Sequence, residues 1–166
     1  MPEGHNSSYS GIQLGPGGYV FWVVKSLATF TFRATAESVP RMRRFVARWL
    51  SDSELADPAR SDLLLATTEA VGNACRHTSP QGTCVHVCCS RHDGRVSISI
   101  SDNGPGFTAD CDPLRREPVV DAVDGRGLYL MRRLTDHLSI VATERGTRVT
   151  LERNAASAIP AGPREW

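Results

Sequence analysis

The run Leu63–His77, LLLATTEAVGNACRH, contains no proline, and Leu63, Leu64, Thr67, Ala70, Val71 and Ala74 recur within it at three- and four-residue intervals. This spacing predicts a helix with one buried face. Glu69 and Asn73 are one turn apart, so their side chains project side by side, with roughly 5–6 Å between β-carbons. A carboxylate beside an amide oxygen on a helix edge can hold a hard cation and a reacting hydroxyl together. The same pair is also common on plain solvated surface, so the residues that follow must decide.

At 166 residues the chain is about one domain long and can bury a proper core. A formal net charge of +1 gives no general reason to expect nucleic acid or a membrane surface as a partner. The longest strongly apolar run, Tyr19–Val24 (YVFWVV), is far too short to span a bilayer. No basic n-region precedes it, which argues against a secretory signal. Cys84, Cys88 and Cys89 lack the spacing of a zinc site. In a strand, Cys84 and Cys88 share one face and Cys89 takes the other. The expectation is small apolar side chains in a reduced, cytoplasmic protein.

In chain order, residues 1–18 are rich in Gly, Ser, Pro and Asn without apolar periodicity, which predicts a flexible arm. Tyr19–Val24 fits a strand or a docking segment. Leu27–Ala34 alternates as a strand does, and Ser38 is placed to cap a helix running to about Leu50. That helix would turn Val39, Met42, Phe45, Val46, Trp49 and Leu50 inward. The central helix is predicted from near Pro58 to Pro80 at the latest. Thr83–Ser90 and Arg95–Ser101 flank His92-Asp93-Gly94, a strong hairpin signal. Residues 108–124 carry two prolines and many charges, and predict a long loop. A helix follows through about Thr135, then a hairpin of Leu138–Thr143 and Thr147–Arg153. The expected divisions are an arm over 1–24, a folded domain over 25–153 and a frayed tail over 154–166. The expected fold is α+β, a two-layer α/β sandwich whose helices cover one face of a mixed, mainly antiparallel sheet.

Three features accompany the Glu69/Asn73 helix. Asp102 ends a strand just before Gly104 and Gly106. A carboxylate there can accept a hydrogen bond from an exocyclic amine, while the glycines let backbone approach a flat base. A simple Asp-Asn-Gly turn would look the same. Gly125-Arg126-Gly127 opens a helix, whose N-terminal amides favour phosphate. Gly146-Thr147 begins the last strand and offers a hydroxyl.

In this order and spacing, E-A-V-x-N-A-x-x-H, D-N-G-P-G-F, G-R-G-L-x-L-M and G-T resemble the N, G1, G2 and G3 boxes of Bergerat-fold ATP-binding proteins. More narrowly, the chain resembles the anti-sigma factor serine/threonine protein kinases, over about Leu27 to Arg153. The resemblance implies ATP and Mg²⁺ as cofactors, with Asn73 the metal ligand and Glu69 the catalytic base. It implies that Asp102 binds the adenine amine, with Gly104, Gly106 and Thr147 shaping the base pocket. Gly125, Arg126, Gly127 and Leu128 would lie against the phosphates, and residues 108–124 would be an ATP lid. Arg115 and Arg116 of the lid could reach the γ-phosphate or be solvated; Arg76 and His77 could be catalytic, structural or partner-facing.

The implied partners are a small anti-sigma factor antagonist, phosphorylated on Ser or Thr, and a sigma factor that is sequestered. The resemblance leaves room for a homodimer. With only a strand and one short helix before the central helix, a sensor kinase's dimerisation module is not expected, nor is the second domain of a gyrase-like ATPase. A second reading is a non-catalytic ATP-binding regulatory module that controls a protein partner by contact. Glu69 favours the enzyme, since a pure binder needs no base at that place.

Overall fold

The computed structural model describes residues 13–15, 19–24, 26–77, 84–104, 126–143 and 146–155. The elements run β1 (Gln13–Gly15), β2 (Tyr19–Val24), β3 (Leu27–Arg33), α1 (Ser38–Ser51), α2 (Asp57–His77), β4 (Cys84–His92) and β5 (Arg95–Asp102). They continue with α3 (Arg126–Leu134), β6 (His137–Thr143) and β7 (Gly146–Asn154). The strands form one sheet in the order β1-β2-β3-β4-β5-β7-β6.

Alternation along β3, β4 and β5 sorts side chains between two faces. The register aligns Phe30 with Val87 and Val87 with Ile100, and likewise Ala28, Cys89, Ile98 and Leu151. All of these are buried and form the sheet half of the core. Helix α1 covers β3, α2 covers β4, β5 and β7, and α3 packs on α2 and β6. On the opposite face these strands and β7 present Thr29, Thr31, His86, Cys88, Ser99 and Thr150, which are half-buried or exposed. There Thr31 Oγ1 and His86 Nδ1 are hydrogen-bonded at 2.9 Å. The result is the α+β two-layer sandwich.

Two features of the sheet refine the sequence-based expectation. Every described pairing is antiparallel, so the expected mixed sheet is an antiparallel one. Strands β5 and β6 do run parallel to each other, but β7 lies between them and pairs with both. The β6–β7 hairpin docks by its second strand, which keeps each hydrogen-bonded neighbour antiparallel. Tyr19–Val24, open between strand and docking segment, is a strand paired with β3, and Gln13–Gly15, within the predicted arm, pairs with it in turn.

Local chemistry accounts for the element ends. The β4–β5 hairpin turns on two residues, Asp93 (φ 49°) and Gly94 (φ 72°), not three. Positive φ at both suits the strongly twisted two-residue turn that Asp-Gly favours. Ser38 does not cap α1 as expected. It is the first helical residue, buried, and its hydroxyl donates to the Arg33 carbonyl at 2.8 Å, tying the helix start to the end of β3. The α1 stripe is otherwise the expected one: Met42, Val46, Trp49 and Leu50 are buried, and Phe45 stacks on Phe30 at 4.9 Å. Each large side chain in this core contributes about 1.5–3 kcal/mol by burial.

Helix α2 spans 21 residues and is the longest described element. It buries Ala59, Leu63, Ala66, Thr67, Ala70, Val71 and Ala74. Thr67 is tolerated at zero exposure because its hydroxyl donates to the Leu63 carbonyl at 2.7 Å. At the end of the sheet, Arg153 is 2% exposed and bonds Asp62 of α2 at 2.8 Å and Asp136, after α3, at 3.1 Å. This charged cluster joins α2, the α3–β6 turn and β7, and no sequence pattern announced it.

Candidate nucleotide site

The last three turns of α2 point the edge carrying Glu69 and Asn73 toward the start of α3. Both residues are half-buried. Gly127, the second residue of α3, lies directly over them. A β-carbon there would be 3.3 Å from Glu69 Oε2, 3.3 Å from Asn73 Nδ2 and 3.7 Å from Asn73 Oδ1. Glycine at this position is therefore a matter of space: it leaves a small cradle bounded by a carboxylate, an amide and the opening turn of a helix. Asn73 Oδ1 accepts a hydrogen bond from Arg76 Nη2.

A second cluster forms where β5 ends. One Asp102 carboxylate oxygen accepts the backbone N–H of Gly104 at 2.9 Å, and Gly104 is buried. Asn103 Oδ1 accepts the backbone N–H of Cys84 at 3.0 Å, fastening the turn to the start of β4. Gly146 begins β7 against this turn with φ 133°, and a β-carbon there would stand 2.0 Å from the Asp102 carbonyl oxygen. Half-buried Thr147 follows, and Arg148 Nε donates to Ser101 Oγ at 3.1 Å.

The structure thus brings Glu69, Asn73 and Gly127 together, and separately Asp102, Gly104 and the Gly146-Thr147 step. Leu128 is partly buried against the core. Arg126 opens α3, and His77 closes α2. Gly106, Gly125 and the lid residues 108–124, with Arg115 and Arg116, lie outside the described residues. Sequence reasoning missed the part of Gly146, which is legible only once β7 is known to run beside β5.

The cysteines stand apart from this site by chemistry. Cys89 is in the core, while Cys84 and Cys88 are half-buried on the open face. Burial pushes the Cys88 and Cys75 thiols up, offset in part by Arg148 and Arg76 respectively, and pushes Cys89 up much further. These are poor nucleophiles.

The antiparallel sheet, the helix edge and the two glycine contacts define a Bergerat-type ATP-binding domain. A family model, the histidine kinase-like ATPase domain, matches residues 32–153, and the chain belongs to that family. Its fold is similar to the crystal structure of the RsbU and RsbW domains of Rv1364c from Mycobacterium tuberculosis. That match has a TM-score of 0.60 and 21% identity over 80% of this chain and 33% of that one. It is also similar to the histidine kinase domain of a blue-light activated histidine kinase from Erythrobacter litoralis. There the TM-score is 0.51 at 18% identity, over 72% of this chain and 60% of that one. The chain therefore spans a third of the first of these structures and under two thirds of the second. No curated protein sequence matches the chain. Among the described residues no helix is long and apolar enough to cross a membrane.

The donor set fits a magnesium nucleotide. Asn73 offers an amide oxygen, which a hard cation accepts, the Glu69 carboxylate beside it adds negative charge, and Mg²⁺ needs few protein ligands when phosphates and waters complete its shell. The cradle left by Gly127 adds room at the start of α3, where helix amides favour anions.

Proposed function

We propose that the chain is a serine/threonine protein kinase of the anti-sigma factor type, binding ATP with Mg²⁺ and phosphorylating a small antagonist protein in the cytoplasm. The observation that supports this reading is Gly127 seated over both Glu69 and Asn73, so that a carboxylate and an amide meet at one helix start. Bound Mg²⁺-ATP would supply the transferable phosphoryl group and the neutralising charge. Asn73 would hold the metal through its amide oxygen. Glu69, one turn back, would orient the incoming hydroxyl and accept its proton. Asp102 would accept the adenine amine: one of its oxygens already takes the Gly104 amide, and a carboxylate has lone pairs to spare. Gly104, Gly106 and Thr147 would shape the base pocket, with Gly125, Arg126, Gly127 and Leu128 against the phosphates and residues 108–124 as lid.

The resemblance of the four motifs to the anti-sigma factor kinases is what supports a protein substrate and a sequestered sigma factor. The test is incubation of labelled ATP with the chain and with proteins that co-purify with it. Label on Ser or Thr of a small partner is the expected result. ATP-dependent binding of a partner with no label transferred would establish the contact-only regulator instead.

A further inference from the structure

We propose that Arg76 is a resident cation on the metal ligand: its guanidinium occupies the Asn73 oxygen, so Mg²⁺ loads only as Arg76 is displaced. The inference rests on the nucleotide-site reading above and concerns how that site is held before the metal arrives.

Arg76 lies three residues beyond Asn73 on α2, on the same edge, and its Nη2 donates to Asn73 Oδ1. The guanidinium folds back along the helix, with Nη1 3.9 Å from where a β-carbon on Gly72 would stand. On its other side Asn73 faces the cradle under Gly127, where Glu69 Oε2 also points. The Glu69 carboxylate, at 3.3 Å, and the Asn73 amide, with Nδ2 at 3.3 Å and Oδ1 at 3.7 Å, therefore border one spot, where the anionic carboxylate favours positive charge. Arginine keeps its charge at every working pH. Two cations then contend for one oxygen. Arg76 is exposed, and Asn73 is its hydrogen-bond partner among the described residues.

The magnitudes suit a tunable competitor more than a lock. A surface pair at this spacing is worth roughly a factor of two in an equilibrium. A unit charge about 5 Å from a metal ion adds repulsion worth severalfold even in high dielectric. Together they weaken metal loading by roughly threefold to tenfold. Free Mg²⁺ at ordinary concentrations could overcome that, with bound nucleotide phosphates giving the released guanidinium a new counter-charge.

The test is a titration of Mn²⁺, followed by its electron paramagnetic resonance signal, into protein saturated with a non-hydrolysable ATP analogue. Parent, Arg76→Ala, Asn73→Ala and the double variant are compared, with analogue binding measured separately in chelator. Arg76→Ala is expected to tighten Mn²⁺ roughly threefold to tenfold, and to lose most of that effect when Asn73 is already Ala. Unchanged or weaker Mn²⁺ binding in Arg76→Ala overturns the proposal. An equal gain in both backgrounds also overturns it, because the effect would then be long-range charge and not a shared oxygen. If the parent binds no analogue at all, the nucleotide site itself is wrong and Arg76 falls with it. If the analogue binds normally and only the Arg76 effect is missing, the nucleotide reading stands alone.

Discussion

Gly146 and Asp102 touch backbone to backbone: a β-carbon on Gly146 would lie 2.0 Å from the Asp102 carbonyl oxygen. Since Asp102 is the proposed adenine ligand, the start of β7 sets the position of the base pocket floor. Gly146→Ala combines this clash with a backbone conformation that costs about 1–3 kcal/mol for a non-glycine residue. A fall in Tm of many degrees, or failure to fold, is expected in thermal unfolding. Gly72→Ala is the control. Among the described residues its β-carbon meets only the end of Arg76, at 3.9 Å, and gaining helix propensity should stabilise the chain by about 0.5–1 kcal/mol.

Gly127→Ala separates binding from stability. The added carbon meets flexible side-chain ends at 3.3 Å, which can yield by a few tenths of an ångström. Unfolding should therefore be unchanged or slightly later, while Glu69 and Asn73 are pushed from the cradle. Calorimetry should show weaker Mg²⁺-ATP binding. Parental affinity would mean that the cradle is not where the phosphates lie.

The three proposed contacts predict different failures. Asp102→Ala removes a hydrogen bond to a charged group, worth about 1.5–3 kcal/mol of ATP affinity, and should narrow the preference for ATP over GTP. Asn73→Ala should weaken Mg²⁺-ATP binding itself. Glu69→Gln keeps its shape, so ATP affinity should hold while phosphoryl transfer slows about 10²–10⁴-fold. Transfer at the parental rate by the Glu69→Gln protein would remove Glu69 from the role of base.

Arg153 answers to stability alone. Replacing it by Met leaves Asp62 and Asp136 facing each other beside the core without a counter-charge, at 22% and 18% exposure. Breaking a fully buried pair costs about 3–5 kcal/mol, and the partial exposure of the two carboxylates places this case near the lower end. Urea unfolding at neutral pH checks it. Restoring charge balance with Asp62→Asn in the same chain should recover part of the loss.

The thiols predict a pH dependence. Cys75, Cys88 and Cys89 are all raised by burial from an ordinary value of 9.0. A raised folded-state value means that their contribution is fully present below the unfolded thiol range and is lost as pH climbs above it. Stability should thus decline above about pH 9 more steeply in the parent than in Cys89→Ala. Urea midpoints between neutral pH and pH 10 would show whether the two curves diverge.

What the sequence by itself determined is the short-range chemistry. Helical periodicity set Glu69 and Asn73 side by side, because one turn of helix brings residues four apart onto one edge. Asp93-Gly94 specified a hairpin turn at that place, and the structure set its length at two residues, both at positive φ. The glycine boxes named the fold family and most of the candidate site. Only the tertiary structure decided which distant segments meet. β7 docks between β5 and β6, and that choice puts Gly146 on Asp102 and buries Arg153 between carboxylates, one of them 91 residues away. Helix α3 packs along α2, and that choice seats Gly127 over Glu69 and Asn73. Strand order and helix packing minimise the exposed apolar surface of the whole chain at once, and no local spacing encodes that optimum.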